Sequence, residues 1–146
     1  MTSMFGGPHR LIRQLAGALV VALLSALQWY VWMAWDTEYQ TDPVTQLETG
    51  PYEAWQVAGC VVSLLVVFVG ALLLGVRPLW ASAALTLAFT TAWTATAAAN
   101  DITGMYGVGT IMLLFGLTAA TAAVSLVVTG LRRLRSPRQP INGVTA

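Results

Sequence analysis

The sequence contains no lysine, one histidine and one cysteine in 146 residues. A single cysteine excludes an internal disulfide, a CxxC redox pair and a cysteine-based metal cluster. Cys60 sits inside an apolar run, where a thiol serves as a small hydrophobe. His9 lies in the basic N-terminal segment and the acids lie elsewhere, so no histidine–carboxylate triad is expected. There is no HExxH and no glycine-rich phosphate loop. Charge itself is scarce, at 9% of residues, where soluble domains carry about 25%. With 57% hydrophobic residues and a mean hydropathy of +0.70, a water-soluble globule would have too little polar surface. The expectation is a non-enzymatic integral membrane protein with no cofactor and no nucleic-acid partner.

Four uncharged stretches are each long enough to cross a bilayer, which takes about 20 apolar residues. The spans are expected at about 15–35, 54–75, 79–99 and 108–130. Backbone groups find no water in the hydrocarbon core, so the spans should be helices. The fold class is therefore all-α, a four-transmembrane-helix bundle in one domain over residues 1–146. The first stretch has the basic start of a signal peptide, Arg10 and Arg13, but no A-x-A cleavage site follows its apolar core, so it reads as a retained helix.

The net charge of +1 hides a segregation. His9, Arg10 and Arg13 precede the first span, Arg77 separates the second and third, and Arg132, Arg133, Arg135 and Arg138 follow the fourth. The other two connections, 36–53 and 100–107, hold Asp36, Glu38, Asp42, Glu48, Glu53 and Asp101 and no base. Basic residues are retained on the cytoplasmic side. Both termini are thus expected inside, in the plasma membrane, with 36–53 and 100–107 as outer loops and a disordered tail over 136–146. Gly75-Val76-Arg77-Pro78 reads as a tight turn with Pro78 in the first turn of the next helix. It and the short 100–107 link imply antiparallel neighbours.

Helix association in lipid depends on close packing of small residues. Ala84, Ala88 and Ala92 in the third span, with Gly116 and Ala120 in the fourth, are the expected packing positions, and Ala18, Ala22 and Ala26 extend the pattern to the first. The second span, rich in valine, leucine and phenylalanine, reads as more exposed to lipid on much of its surface. The third and fourth also carry hydroxyls, Ser82, Thr86, Thr90 and Thr94 against Thr110, Thr118, Thr121, Ser125 and Thr129. These hydroxyls either bond back to the carbonyl four residues earlier or to a neighbouring helix, or they line a solute path. Gln28, Gln56 and Asn100 are candidates to pair with one another.

The loop from Trp35 to Gln56 is acidic, and Asp42-Pro43 favours a turn in it. Asp36, Asp42, Glu53 and Asp101 are the candidate ligands of an outer cation, although their spacing is not that of an EF-hand. Trp29, Trp32 and Trp35, with Tyr39, Tyr52, Trp55 and Tyr106, read chiefly as an interfacial aromatic belt.

The segments Thr49-Gly50-Pro51-Tyr52-Glu53-Ala54-Trp55-Gln56-Val57 and Thr103-Gly104-Met105-Tyr106-Gly107-Val108-Gly109 resemble parts of uncharacterised four-helix membrane proteins of actinobacteria. That resemblance implies a source and a fold and no known activity. The chain lacks the membrane-embedded glutamate of small multidrug transporters, the CxxC of quinone-linked disulfide enzymes and the paired extracellular cysteines of claudins. The reading that follows is an accessory or interaction subunit, its partners the lipid bilayer and either another membrane protein or a second copy. The alternative is a small transporter or channel component with an acidic outer mouth.

Overall fold

A computed structural model describes residues 7–136. The order of elements is α1 (Pro8–Trp32), β1 (Gln40–Thr41), β2 (Glu48–Thr49), α2 (Ala54–Leu73), α3 (Pro78–Asn100) and α4 (Tyr106–Arg135). The fold is all-helical apart from the small hairpin. The expected tail lies almost wholly outside the described residues; Ser136 ends the description one residue beyond α4.

Each helix begins where its sequence allows. Pro8 and Pro78 take the first turns of α1 and α3, where a missing N–H costs nothing. α1 therefore starts before the expected residue 15, and it stops at Trp32, where Met33 and Ala34 both donate to the Trp29 carbonyl. α4 runs beyond the expected residue 130 and carries Arg132, Arg133 and Arg135 in its last turn, the end that favours cations. Glu53 and Gln56 form a capping box at the start of α2, in which the Glu53 N–H donates to Gln56 Oε1 at 2.6 Å.

The α2–α3 connection is a Schellman turn. Val76 N–H donates to Ala71 O at 3.0 Å and Gly75 N–H to Leu72 O at 3.2 Å. Gly75 has φ of +89°, which an L side chain rarely adopts. α1 clasps this turn from the side: Gln14 Nε2 donates to Gly75 O at 2.9 Å, and Arg77 N–H donates to Gln14 Oε1 at 2.8 Å.

α3 is the hub. It packs most extensively on α1, next on α4 and slightly on α2, while α1 and α4 do not pack on each other. The short turn makes α2 and α3 touch, but the closest partnership is between α1 and α3, which run parallel and which no short connection announces. Small residues contribute to it. Ser25 of α1 is buried, with Ala18, Ala22 and Ala26 half-buried, and Ala81 and Ala92 of α3 are buried with Ala84 and Ala88 half-buried, while Val21 and the large Trp29 fill the rest of the α1 face. Such surfaces let two backbones come closer than the branched surface of α2 does.

Two expectations about exposure are corrected. α2 is not the most open helix: Gln56, Cys60, Leu64, Phe68 and Leu72 recur every fourth residue and are buried, so one full face enters the core. The most open helix is α4, with 6% of its most apolar stretch buried against 33% for α2. Gly116 and Ala120 lie on its exposed surface, and the face turned inward is Leu113, Leu117, Thr121, Val124 and Val128. α4 is apolar on all sides, so periodicity alone does not select its inner face.

Among the described residues three helices are long and apolar enough to cross a membrane: α1 with mean hydropathy 1.7, α2 with 2.5 and α4 with 2.3. Leu19, Leu23, Val61, Leu65, Met112, Phe115 and Leu126 all point outward from them. Apolar surface on this scale on a helical bundle marks a membrane protein.

Candidate functional site

The bundle has two chemically opposite ends. The ends of α1 and α3 meet where Trp29 Nε1 donates to Thr96 Oγ1, and Tyr52, just before α2, packs its ring edge on Trp29 with centroids 5.6 Å apart. The acidic connections are therefore at one end. The arginine-bearing starts and ends of the helices are at the other.

The acidic end is an ordered surface. β1 and β2 pair antiparallel, Gln40 opposite Thr49 and Thr41 opposite Glu48. Asp42 closes the hairpin: its Oδ1 accepts from Val44 N–H at 2.8 Å and Thr45 N–H at 3.3 Å, an Asx-turn that holds its carboxyl below the ordinary carboxylate range. Gln46 follows with φ of 54°, the left-handed value that lets the chain reverse.

The four candidate cation ligands are not brought together. Each is committed to a local partner. Asp36 Oδ2 accepts from Gln56 Nε2 at 3.0 Å. Asp42 caps its own turn. Glu53 caps α2, accepts from Gln40 Nε2 at 3.3 Å, and takes the Trp55 indole N–H. Asp101 leads into α4: its Oδ1 accepts from the Thr103 hydroxyl and N–H, both at 2.6 Å, and its Oδ2 from Tyr106 N–H at 2.8 Å. Those bonds to Thr103 and Tyr106 depress the Asp101 carboxyl from the ordinary value of 3.8 to about 2. Among the described residues no group of three or more histidine, cysteine, aspartate or glutamate side chains is placed to hold a metal ion.

The signal for these roles was in the sequence. Asp-x-Thr before a helix and Asp-Pro-x-Thr in a loop are turn- and cap-forming patterns. Residues that looked free for a ligand satisfy backbone donors.

The aromatic residues divide. Trp29 is buried, with Phe89 edge-on at 6.0 Å, and is a core residue and not part of a belt. Trp32 packs edge-on against Trp55 at 6.2 Å, and Trp35 is exposed. The amides do not pair with one another. Gln28 Oε1 accepts from Trp32 Nε1 at 3.0 Å, and Asn100 donates to Thr96 O at 2.8 Å.

Between α3 and α4 the hydroxyls form two cross-helix pairs. Thr121 donates to its own helix at Leu117 O, 2.8 Å away, so Ser82 donates to Thr121 at 2.6 Å. Thr110 likewise donates to Tyr106 O at 3.0 Å, so Thr94 donates to Thr110 at 2.9 Å. Beside the second pair is an open groove of about 430 Å³ lined by Leu87, Thr90, Thr91, Thr94, Ala95, Thr110 and Leu114. The hydroxyls of Thr90, Thr86 and Ser25 are buried with no hydrogen-bond partner. A buried hydroxyl without a partner is costly, so these three mark the least satisfied part of the interior.

The chain matches no protein-family model, no curated protein and no solved structure.

Proposed function

We propose that the chain is a four-span plasma-membrane protein with both termini cytoplasmic, acting as a non-enzymatic accessory or interaction subunit. The fourth span in this reading is α3, which holds no charged residue between Arg77 and Asp101 and occupies the centre of the bundle. The separation of arginines from acids supports the orientation. We place the protein with uncharacterised actinobacterial four-helix membrane proteins on the two loop segments named above.

The observation that carries the interaction role is the outward face of α4. Gly116, Ala119, Ala120 and Ala123 are exposed, and nothing lies within 4 Å of a Cβ built on Gly116. Small residues at three- and four-residue spacing let another helix approach closely, and here the bundle itself leaves them free. The partner is another membrane protein or a second copy of this chain. The paired changes Gly116→Leu and Ala120→Leu should abolish co-purification of the partner in mild detergent while leaving the melting temperature within about 2 °C, as expected for side chains that face outward. Unchanged co-purification would remove this role. Thr45→Cys and Ser136→Cys, each in a Cys60→Ser background, test orientation: an impermeant thiol reagent on intact cells should label the first and spare the second.

A second reading, a small transporter or channel component, is favoured by Ser25, Thr86 and Thr90, whose unpartnered hydroxyls lie inside the bundle. Solute flux into proteoliposomes that Thr86→Val and Thr90→Val abolish would select it over the first.

A further inference from the structure

The arginines form more than a topological signal. All six described ones, Arg10, Arg13, Arg77, Arg132, Arg133 and Arg135, are exposed at one end of the bundle, and every acid of the chain lies in the connections at the other. Two of them converge from helices that do not otherwise meet. Arg132 of α4 donates from Nη2 to Leu72 O at 2.7 Å. Arg13 of α1 reaches the same turn, its Nη2 3.5 Å from where a Cβ on Gly75 would stand. The attraction is the carbonyl end of α2, which carries the negative end of the helix dipole. Arg77 follows two residues after Gly75.

The α2 carbonyls occupy only a fraction of this donor set. A guanidinium has five N–H donors, and the bond from Arg132 to Leu72 O uses a single one. Among the described residues no carboxylate is on this end to take the remainder. Exposed Leu74 and Leu79 flank the turn, with Trp80 one residue further on. A cationic rim beside an apolar flank matches a molecule with a phosphate head and hydrocarbon chains.

We propose that the α2–α3 turn, with Arg13, Arg77 and Arg132 around it, binds the headgroup of an anionic phospholipid. The phosphate takes charge-assisted hydrogen bonds from guanidiniums of three different segments, and the chains lie along Leu74 and Leu79. Bound lipid thereby ties α1 to α4, which share no packing of their own. The inference rests on the membrane-spanning reading and is independent of which leaflet this end faces.

The test uses the full chain in nanodiscs of pure phosphatidylcholine and of phosphatidylcholine with roughly 30% phosphatidylglycerol, a contrast in anionic headgroups alone. The melting temperature should be several degrees higher with phosphatidylglycerol, and the difference should shrink as salt is raised. Arg13→Gln with Arg132→Gln should remove the difference, and Arg13→Lys with Arg132→Lys should retain part of it. Native mass spectrometry of the unaltered protein should show phosphatidylglycerol retained in preference to phosphatidylcholine. Equal melting temperatures in the two lipids, or a difference that survives in the glutamine variant, would overturn the proposal. So would an equal shift from inorganic phosphate in pure phosphatidylcholine, which would make the site a general anion site. A chain that fails to enter either nanodisc sinks the membrane reading and this proposal together. One that enters both without lipid preference sinks only the proposal.

Discussion

Trp29 and Thr96 are joined by a hydrogen bond of 2.9 Å from the indole Nε1 to the hydroxyl, which itself donates to Ala92 O at 3.0 Å. The pair pins the last turn of α1 to that of α3, and Tyr52 and Phe89 close edge-on around the indole. A tryptophan that is 2% exposed needs such a partner for its N–H. Thr96→Val keeps the shape and deletes the acceptor. It should lower stability by about 1 kcal/mol, the penalty of a buried donor left unpaired, measured as reduced resistance to denaturant in detergent. Equal denaturation midpoints would show that the packing of Trp29, and not its hydrogen bond, holds the two helices together.

Two glycines receive tryptophan rings from neighbouring segments. A Cβ on Gly59 would stand 2.5 Å from the Trp32 ring, and one on Gly109 would overlap the Trp93 ring. Gly59→Ala and Gly109→Ala should each destabilise by about 1–3 kcal/mol through overpacking. Gly116→Ala meets open space and should be neutral or mildly stabilising, because alanine is the better helix former. Thermal melts of the three variants side by side check this, and a loss at Gly116 equal to that at Gly59 would contradict the placement of α4.

Asp101 gives a pH dependence with a definite sign. Its carboxyl is depressed in the folded chain from 3.8 to about 2 by Thr103 and Tyr106. The cap therefore stabilises the start of α4 fully above the unfolded value and loses that contribution as pH falls from about 4 towards 2. Amide exchange at Tyr106, measured between pH 5 and pH 2, should accelerate beyond the intrinsic rate change across that window. Asp101→Asn should leave no such step.

Gln14 uses both ends of its amide on one turn, donating to Gly75 O and accepting from Arg77 N–H. Gln14→Leu conserves bulk and removes both bonds. The expected loss is about 1–2 kcal/mol, with protease sensitivity appearing first at the Gly75–Arg77 bend. Gln14→Glu keeps only the acceptor and should recover part of the loss.

The helices were legible because uncharged runs punctuated by proline, arginine and acid leave little choice of element. Pro78 marks a start and Gly75 a stop, whereas the start of α1 at Pro8, seven residues before the expected span, went unread. The charge segregation was legible for the same reason, as it needs only positions along the chain. Side-chain partners were not. Trp29 shares its three-residue spacing with Trp32 and Trp35, and nothing local distinguishes a buried indole from an interfacial one. The hairpin at 40–49 has strands of two residues each, too short for an alternating pattern. The inner face of α4 was misread because its outward side is as apolar as its inward side. Asp36, Asp42, Glu53 and Asp101 look like one collection when counted by charge, yet Asp42 and Asp101 each cap their own turn and Asp36 and Glu53 share Gln56.

The Gln14 clasp also sets an order of events. Gln14 precedes Gly75 by 61 residues, so the ribosome has delivered α1 long before the turn it closes exists. The α2–α3 hairpin is thus made after the surface it lies against, and the two hydrogen bonds of the Gln14 amide form only once the bend reaches α1. A hairpin arriving beside a misinserted α1 keeps a carbonyl and an amide without partners at its bend. One side chain in the first helix thus closes the bend that joins the next two, binding a carbonyl on one side of it and an amide N–H on the other.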